Sequence, residues 1–107
     1  MITALNTIKA LIKMKIPDYL PGYDYIVSAM SIYEKNGAPF TTMRLVYMWI
    51  ADEHRTDPDF VMKSISDVIE YAFTKGDKAE AVKYFGLSQR SNGNNLAVLY
   101  QRLKEEK

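Results

Sequence analysis

The sequence predicts an all-α fold: one domain spanning residues 1–107, built from six helices, with a helix-turn-helix at about residues 41–74. Apolar side chains recur at helical spacing along most of the chain, and no segment shows the sustained alternation of a strand. Turn-forming residues separate the periodic segments, most clearly Asn36-Gly37-Ala38-Pro39. The turn of the helix-turn-helix is expected near residues 54–57.

Two helices are predicted before the helix-turn-helix. The first spans about residues 3–15, and we expect its apolar side chains to face the core: Leu5, Ile8, Leu11 and Ile12. The second runs from Gly22 to Lys35 and has five residues at core spacing: Tyr25, Ile26, Ala29, Met30 and Tyr33.

The helix-turn-helix itself has the clearest signals. Residues 41–53 begin with Thr41 or Thr42 as a cap and have one apolar face, made of Leu45, Val46, Trp49 and Ile50. Residues 58–74 follow an Asp57-Pro58 start, a capping oxygen and then a proline where no N–H is needed. They end at Lys75-Gly76, where the glycine is free to turn left-handed. Because only His54, Arg55 and Thr56 separate the first helix from the Asp57 cap of the second, the two helices must cross at a large angle.

Two shorter elements complete the chain. A helix at residues 78–85 ends at Gly86, and a polar loop is expected over residues 88–95. The last helix has four apolar residues at core spacing: Leu96, Leu99, Tyr100 and Leu103.

Composition excludes several classes of protein. The 107 residues are 48% hydrophobic and 25% charged, as in a packed globular domain, and they contain no cysteine for a disulfide or a thiolate metal site. Lys9, Lys13 and Lys15 interrupt any apolar run at the N-terminus, so the start is not a signal peptide. No later stretch is long enough to span a bilayer. We therefore expect a soluble cytoplasmic protein with no membrane partner.

Catalytic patterns are missing as well. With one histidine and no cysteine, neither a His–Cys pair nor a histidine-rich zinc site can form, and the five glycines make no phosphate-cradling loop. His54 is expected to be packed or to cap a helix. Asp57 and Asp59 are expected to stabilise the helix start rather than bind a cation. We expect no enzyme activity, no cofactor and no metal.

The charge is distributed unevenly, although the formal net charge is only +1. Residues 1–15 have only basic charges and residues 78–107 have an excess of them, whereas residues 44–70 contain three basic side chains against six acidic ones. A helix-turn-helix is typical of DNA-binding proteins, with residues 58–74 in the major groove. Tight helix pairs are also common in small helical domains that never touch DNA, so geometry alone leaves both interpretations open.

Residues 16–25, Ile-Pro-Asp-Tyr-Leu-Pro-Gly-Tyr-Asp-Tyr, followed by Ala29, resemble a signature of one family. The similarity continues along the chain through Leu45-Val46-Tyr47, Ile50-Ala51, Thr56, Val61, Ile65, Ile69-Glu70, Ala72-Phe73, Lys75-Gly76 and Tyr84-Phe85-Gly86. The family is the C-terminal DNA-binding effector domain of the master response regulator of sporulation initiation, stage-zero sporulation protein A.

The resemblance implies a six-helix fold, unrelated to the winged helix, that uses its fourth helix to recognise DNA, often in tandem. In the family this domain follows a phosphorylatable receiver domain. These 107 residues contain none, so we expect a stand-alone effector-like domain if the chain is complete. If it is a fragment of a longer regulator, phosphoryl-gated control stays open.

The sequence departs from the family on the exposed side of the recognition helix. The family is rich in arginine there, whereas the outward positions here are Asp59, Met62, Lys63, Ser66, Asp67 and Glu70. Phe60 also takes a place that the family gives to arginine. Only Lys63 matches one of those arginines in charge. Duplex DNA attracts lysine and arginine and repels carboxylates, so this side is poorly suited to phosphate contact.

Two functional hypotheses follow. In the first, the chain is a DNA-binding transcription regulator: Lys63 and Ser66 touch bases, Arg44, Arg55 and Thr56 hold phosphates, and the basic ends assist. In the second, the helix-turn-helix is a protein-interaction module, whose acidic helix with exposed Met62 and Tyr71 binds a protein partner or a second copy in a homodimer.

Overall fold

The computed structural model describes residues 1–87 and 90–106, and every regular element within them is a helix. Six helices follow in order: α1 (Ala4–Lys13), α2 (Pro21–Asn36), α3 (Met43–His54), α4 (Pro58–Thr74), α5 (Lys78–Phe85) and α6 (Asn92–Glu105). The all-α prediction is confirmed. In the described part of the chain, no helix is long and apolar enough to cross a membrane.

Side chains just before the helices explain where several of them begin. Thr3 and Asn6 form a reciprocal capping box at the start of α1. Asp57, Asp77 and Ser91 each accept a backbone N–H in the first turn of α4, α5 and α6. These bonds satisfy donors that a helix start leaves unpaired.

Helix α4 lies at the centre of the molecule and packs against α2, α3, α5 and α6. Its buried side is mostly aliphatic, and its neighbours contribute large rings that are almost completely buried, among them Tyr33, Tyr84, Phe85 and Tyr100. The approach of α2 is especially close, since a Cβ added at Gly22 would lie 2.2 Å from the carbonyl oxygen of Ser64 in α4. A glycine is therefore needed there for packing rather than for its backbone freedom.

The predicted inward faces of α1 and α3 are wrong in part. In α1, Leu11 is buried, but Leu5 and Ile12 are 56% and 61% exposed. In α3, Val46 and Ile50 are buried while Leu45 and Trp49 point outward. Neighbouring residues on a helix lie about 100° apart, so where the buried side is narrow, as in these two helices, the packing of the neighbouring helices decides which member of an adjacent apolar pair is buried.

Helix α6 begins four residues earlier than the predicted loop implied. Ser91 caps it by accepting the N–H of Asn94, and the buried Asn95 amide donates to the carbonyls of Phe85 and Leu87. These hydrogen bonds hold a segment whose Asn and Gly content is typical of a loop. Of the predicted loop, residues 88 and 89 lie outside the described residues.

The left-handed turn predicted at Gly76 is also wrong. Among the described glycines only Gly37 and Gly86 have a positive φ. A Cβ at Gly76 would lie 2.4 Å from the carbonyl oxygen of Met14, which also accepts the N–H of Asp77 at 2.9 Å. The glycine is thus required by the close passage of the chain beside the end of α1.

Candidate nucleic-acid interface

The turn between α3 and α4 consists of three residues, and the backbone conformation of Arg55 sets its direction. Arg55 has a φ of 56°, in the left-handed region, and its N–H closes the end of α3 by bonding to the carbonyl of Asp52. Thr56 follows, with its N–H on the carbonyl of Ala51 at 2.8 Å. Asp57 then caps α4 by accepting the N–H of Asp59 at 2.8 Å. Backbone and capping hydrogen bonds therefore hold the turn in place.

His54, the last residue of α3, is a packed side chain, as the sequence predicts. Its Nε2 lies 2.9 Å from the hydroxyl oxygen of Ser28, and its ring meets the ring of Tyr25 edge-on with the centroids 5.0 Å apart. Tyr25 in turn meets Phe60 edge-on at 6.2 Å. This cluster ties the turn to the start of α2 and keeps Phe60 only half-exposed.

Helix α4 presents the predicted set of side chains to solvent. All six lie on its exposed side: Asp59, Met62, Lys63, Ser66, Asp67 and Glu70. Three are acidic and one is basic. The Lys63 Nζ lies 3.9 Å from a carboxylate oxygen of Asp67, one helical turn further on. Because both side chains are well exposed, this pair contributes little stability and Lys63 can exchange partners readily.

Ser66 is tied to the N-terminal end of α6. Its hydroxyl donates to the side-chain oxygen of Asn92 at 3.1 Å, while the Asn92 amide donates to the Tyr47 hydroxyl and to the Met62 carbonyl, both at 3.1 Å. Burial raises the pKa of Tyr47, and the hydrogen bond from Asn92 partly offsets that rise. Asn92 thus connects α3, α4 and α6, and Ser66 keeps only its acceptor lone pairs for another partner.

The sequence did not single out Asn92, since it fell in a segment predicted to be a loop. The available signal for an earlier helix start was Ser91, a residue type favoured as an N-cap, followed three residues later by Asn94. Even that signal says nothing of the contacts with Tyr47 and Ser66, which lie 45 and 26 residues away.

Two adjoining grooves run beside the exposed side of α4. One, of about 720 Å³, is lined by Phe40, Met43, Tyr47 and Met62, and the other, of about 530 Å³, by Glu70, Thr74 and Lys78. Ser66, Arg90 and Asn92 border both. Lys78 and Arg90, from the basic C-terminal third, thus lie beside this helix.

The basic N-terminus lies elsewhere. Lys9 and Lys13 line a separate depression, together with Tyr84 and Glu106, which no α4 residue lines among those described. Lys13 donates to the Tyr84 hydroxyl at 3.4 Å, and that hydroxyl donates to Glu106 at 2.7 Å. Burial and this hydrogen bond raise the pKa of Tyr84.

The remaining predicted contacts lie at the two ends of α3, Arg44 at its start and the other two in the turn that follows it. Arg44 is exposed on the first turn of α3, Arg55 is exposed in the turn, and Thr56 is half-buried. Tyr71, which the second hypothesis takes as exposed, is half-buried, because its position lies on the side of α4 between core and solvent. In residues 1–87 and 90–106, no three His, Asp or Glu side chains are arranged to hold a metal ion.

Comparison with known proteins identifies the family. The sequence profile described as "Sporulation initiation factor Spo0A C terminal" matches residues 7–103, nearly the whole chain. No curated protein matches the sequence. Six helices without a strand in the described residues agree with that family's helical domain. The chain belongs to the family of sporulation initiation factor Spo0A C-terminal domains.

Proposed function

We propose that the chain is a DNA-binding transcription regulator of the sporulation type, with α4 as the helix that enters the major groove. The observation that carries the proposal is the family match across a tight α3–α4 pair whose second helix has an open, polar outer side. Lys63 and Ser66 are the candidate base contacts, and Arg44, Arg55 and Thr56 are the candidate phosphate contacts. Lys78 and Arg90, beside α4, extend the second group.

The acidic side chains of α4 determine how such binding behaves. Asp59, Asp67 and Glu70 are exposed on the helix that would enter the groove, and their negative charges weaken attraction to DNA of any sequence. A carboxylate in the groove can accept a hydrogen bond from the amino group of cytosine. We therefore expect weak nonspecific binding and a larger share of the affinity from base contacts.

A titration of labelled duplex DNA of random sequence tests the proposal, at about 50 mM and about 200 mM salt. Binding at the lower salt that weakens steeply at the higher one supports it. Absence of binding at the lower salt contradicts it.

Two variants at one ion pair sharpen the titration. Lys63→Ala is expected to weaken binding several-fold, since it removes a candidate base contact and the one positive charge among the six outward side chains of α4. Asp67→Asn is expected to strengthen binding, because it removes a repelling charge and releases Lys63. Lys35→Ala, an exposed lysine at the end of α2, is the control and is expected to change little. Equal effects of Lys35→Ala and Lys63→Ala would mean that α4 is not the contact helix.

The second candidate function is a protein-interaction module without DNA binding. It is favoured by the excess of acids on α4 together with Phe60 and Met62, which are 46% and 43% exposed. Such a surface suits a partner with basic and apolar side chains. If DNA fails to bind at low salt, while a protein interaction persists in Lys63→Ala, this function replaces the first.

A further inference from the structure

Helix α3 has apolar side chains on two opposite sides. Val46 and Ile50 face the core and are fully buried. Leu45, Met48 and Trp49 face away from it and are 43%, 48% and 44% exposed. The core is therefore complete without them, and their exposure needs another explanation.

These three residues form one surface with the two charged residues beside them. At 100° per residue, Arg44, Leu45, Met48, Trp49 and Asp52 fall within an arc of about 140° on the helix, and all five are exposed. We call this set the outer face of α3. The ring of Phe40 extends it, lying edge-on to Trp49 with the centroids 5.2 Å apart.

The composition of the outer face is that of an interface core. Single exposed apolar residues are ordinary, but contiguous ones mark contact sites. Tryptophan, methionine and arginine are the residue types enriched where proteins meet. The chain's single tryptophan lies here rather than in the core.

The charges on the outer face indicate which kind of partner it binds. Arg44 lies four residues before Met48 and Asp52 lies four residues after it, so the two opposite charges are about 12 Å apart along the helix with the apolar residues between them. Within residues 1–87 and 90–106, neither Arg44 nor Asp52 forms an ion pair. A surface with this polarity is complementary to itself when it is reversed.

We propose that the outer face of α3 is a homodimer interface, in which a second copy of the chain packs its own α3 antiparallel across a twofold axis near Met48. In that arrangement Arg44 of each copy faces Asp52 of the partner subunit, and the apolar residues meet between the two pairs. A parallel arrangement would bring like charges together and is disfavoured.

The inference does not rest on DNA binding, since it is argued from the outer face of α3 rather than from the exposed side of α4. Arg44 is shared by both proposals, and Asp52 separates them, because a dimer contact requires this carboxylate and a phosphate contact does not. One helix face of three turns makes a small interface, so we expect a weak, reversible dimer.

Sedimentation equilibrium over a range of protein concentrations tests the dimer, with the emission of Trp49 as a second measurement. The wild-type chain is expected to dimerise, and its emission to shift to shorter wavelength as Trp49 leaves water. A chain that stays monomeric up to about 1 mM overturns the proposal.

Charge reversal at the two ends of the outer face gives the sharper test. Arg44→Asp and Asp52→Arg each bring like charges together twice, so each is expected to weaken self-association at least about tenfold. A mixture of the two variants is expected to form a heterodimer at near wild-type strength, because both pairs are then complementary. The proposal is overturned if the mixture associates no better than either variant alone.

Ile12→Asp is the matched control, an exposed apolar residue on α1 at 61% exposure. It is expected to leave self-association unchanged. Loss of the dimer in this variant, with α3 intact, would move the interface to α1 and overturn the proposal. Far-UV circular dichroism of each variant checks that the helices are retained, which we expect because every substituted side chain is exposed.

Discussion

Helices α3 and α4 are alike on their buried sides and opposite on their exposed sides. Val46 and Ile50 in α3, like Val61 and Ile65 in α4, are aliphatic and completely buried. The exposed side of α4 is mostly charged, with more acids than bases, whereas the outer face of α3 is mostly apolar. The helix expected to read DNA thus has a surface poorly suited to phosphate, and its supporting helix has one suited to protein. Buried sides determine the fold, and exposed sides determine the partners.

The largest expected effect tests the distinction between the two sides directly. Ile50→Ala and Ile65→Ala each remove methyl groups from a closed core, so each is expected to lower the free energy of unfolding by about 2–5 kcal/mol. Leu45→Ala and Met62→Ala, each at 43% exposure, are expected to cost less than about 1 kcal/mol. Urea unfolding at low protein concentration measures all four.

The outcome for α3 is the more informative one. If Leu45→Ala destabilised the monomer as much as Ile50→Ala, the outer face of α3 would be part of the core. The contrast between the helices would then disappear.

The sequence predicted much of this fold because its strongest signals are local. Asp57-Pro58 marks the start of α4, and the predicted helix at 58–74 coincides with Pro58–Thr74. Local signals fail where adjacent apolar residues compete for the core, as Leu45 and Val46 do. Which of the two faces inward depends on how the neighbouring helices pack, and the sequence of one helix does not determine that packing.

The candidate site divides in the same way. Helical periodicity is sufficient to predict that Lys63 and Ser66 face outward from α4, and the structure agrees. The sequence could not predict the hydrogen bond from Ser66 to Asn92 or the position of Arg90 in a groove beside α4, because both residues come from a distant segment that the packing of α6 brings there.

A second contrast between the helices concerns how each begins. Helix α4 has its own cap in Asp57, whereas the N-cap of α3, Thr42, makes no side-chain hydrogen bond. The first residue of α3 is held from outside instead, since the Tyr33 hydroxyl in α2 donates to the Met43 sulfur at 3.3 Å.

Alkaline pH is expected to weaken this hydrogen bond between Tyr33 and Met43. Burial, helped by Tyr47, raises the pKa of Tyr33 from its ordinary value of 10 to about 12. Because the folded state favours the neutral phenol, its contribution to stability is fully present below pH 10 and is lost as the pH rises to about 12. Urea unfolding between these values should show stability falling more gently with pH in Tyr33→Phe than in the wild type.

Tyr19→Phe is the control for this measurement, since its side chain is 77% exposed. It is expected to keep the wild-type slope. A slope in Tyr33→Phe as steep as in the wild type would mean that other groups account for the alkaline loss.

The smallest expected effect compares the two caps. Asp57→Ala removes the acceptor of the Asp59 N–H and is expected to cost about 1 kcal/mol, while Thr42→Ala is expected to cost less than about 0.5 kcal/mol. Asp57→Asn keeps an oxygen acceptor without the charge. Stability close to wild type in Asp57→Asn, with tighter binding of random-sequence DNA, would show that the oxygen acceptor begins the helix and that the negative charge repels the phosphates. Thermal unfolding separates the first effect from the second, because only the loss of the acceptor shortens α4 from its start.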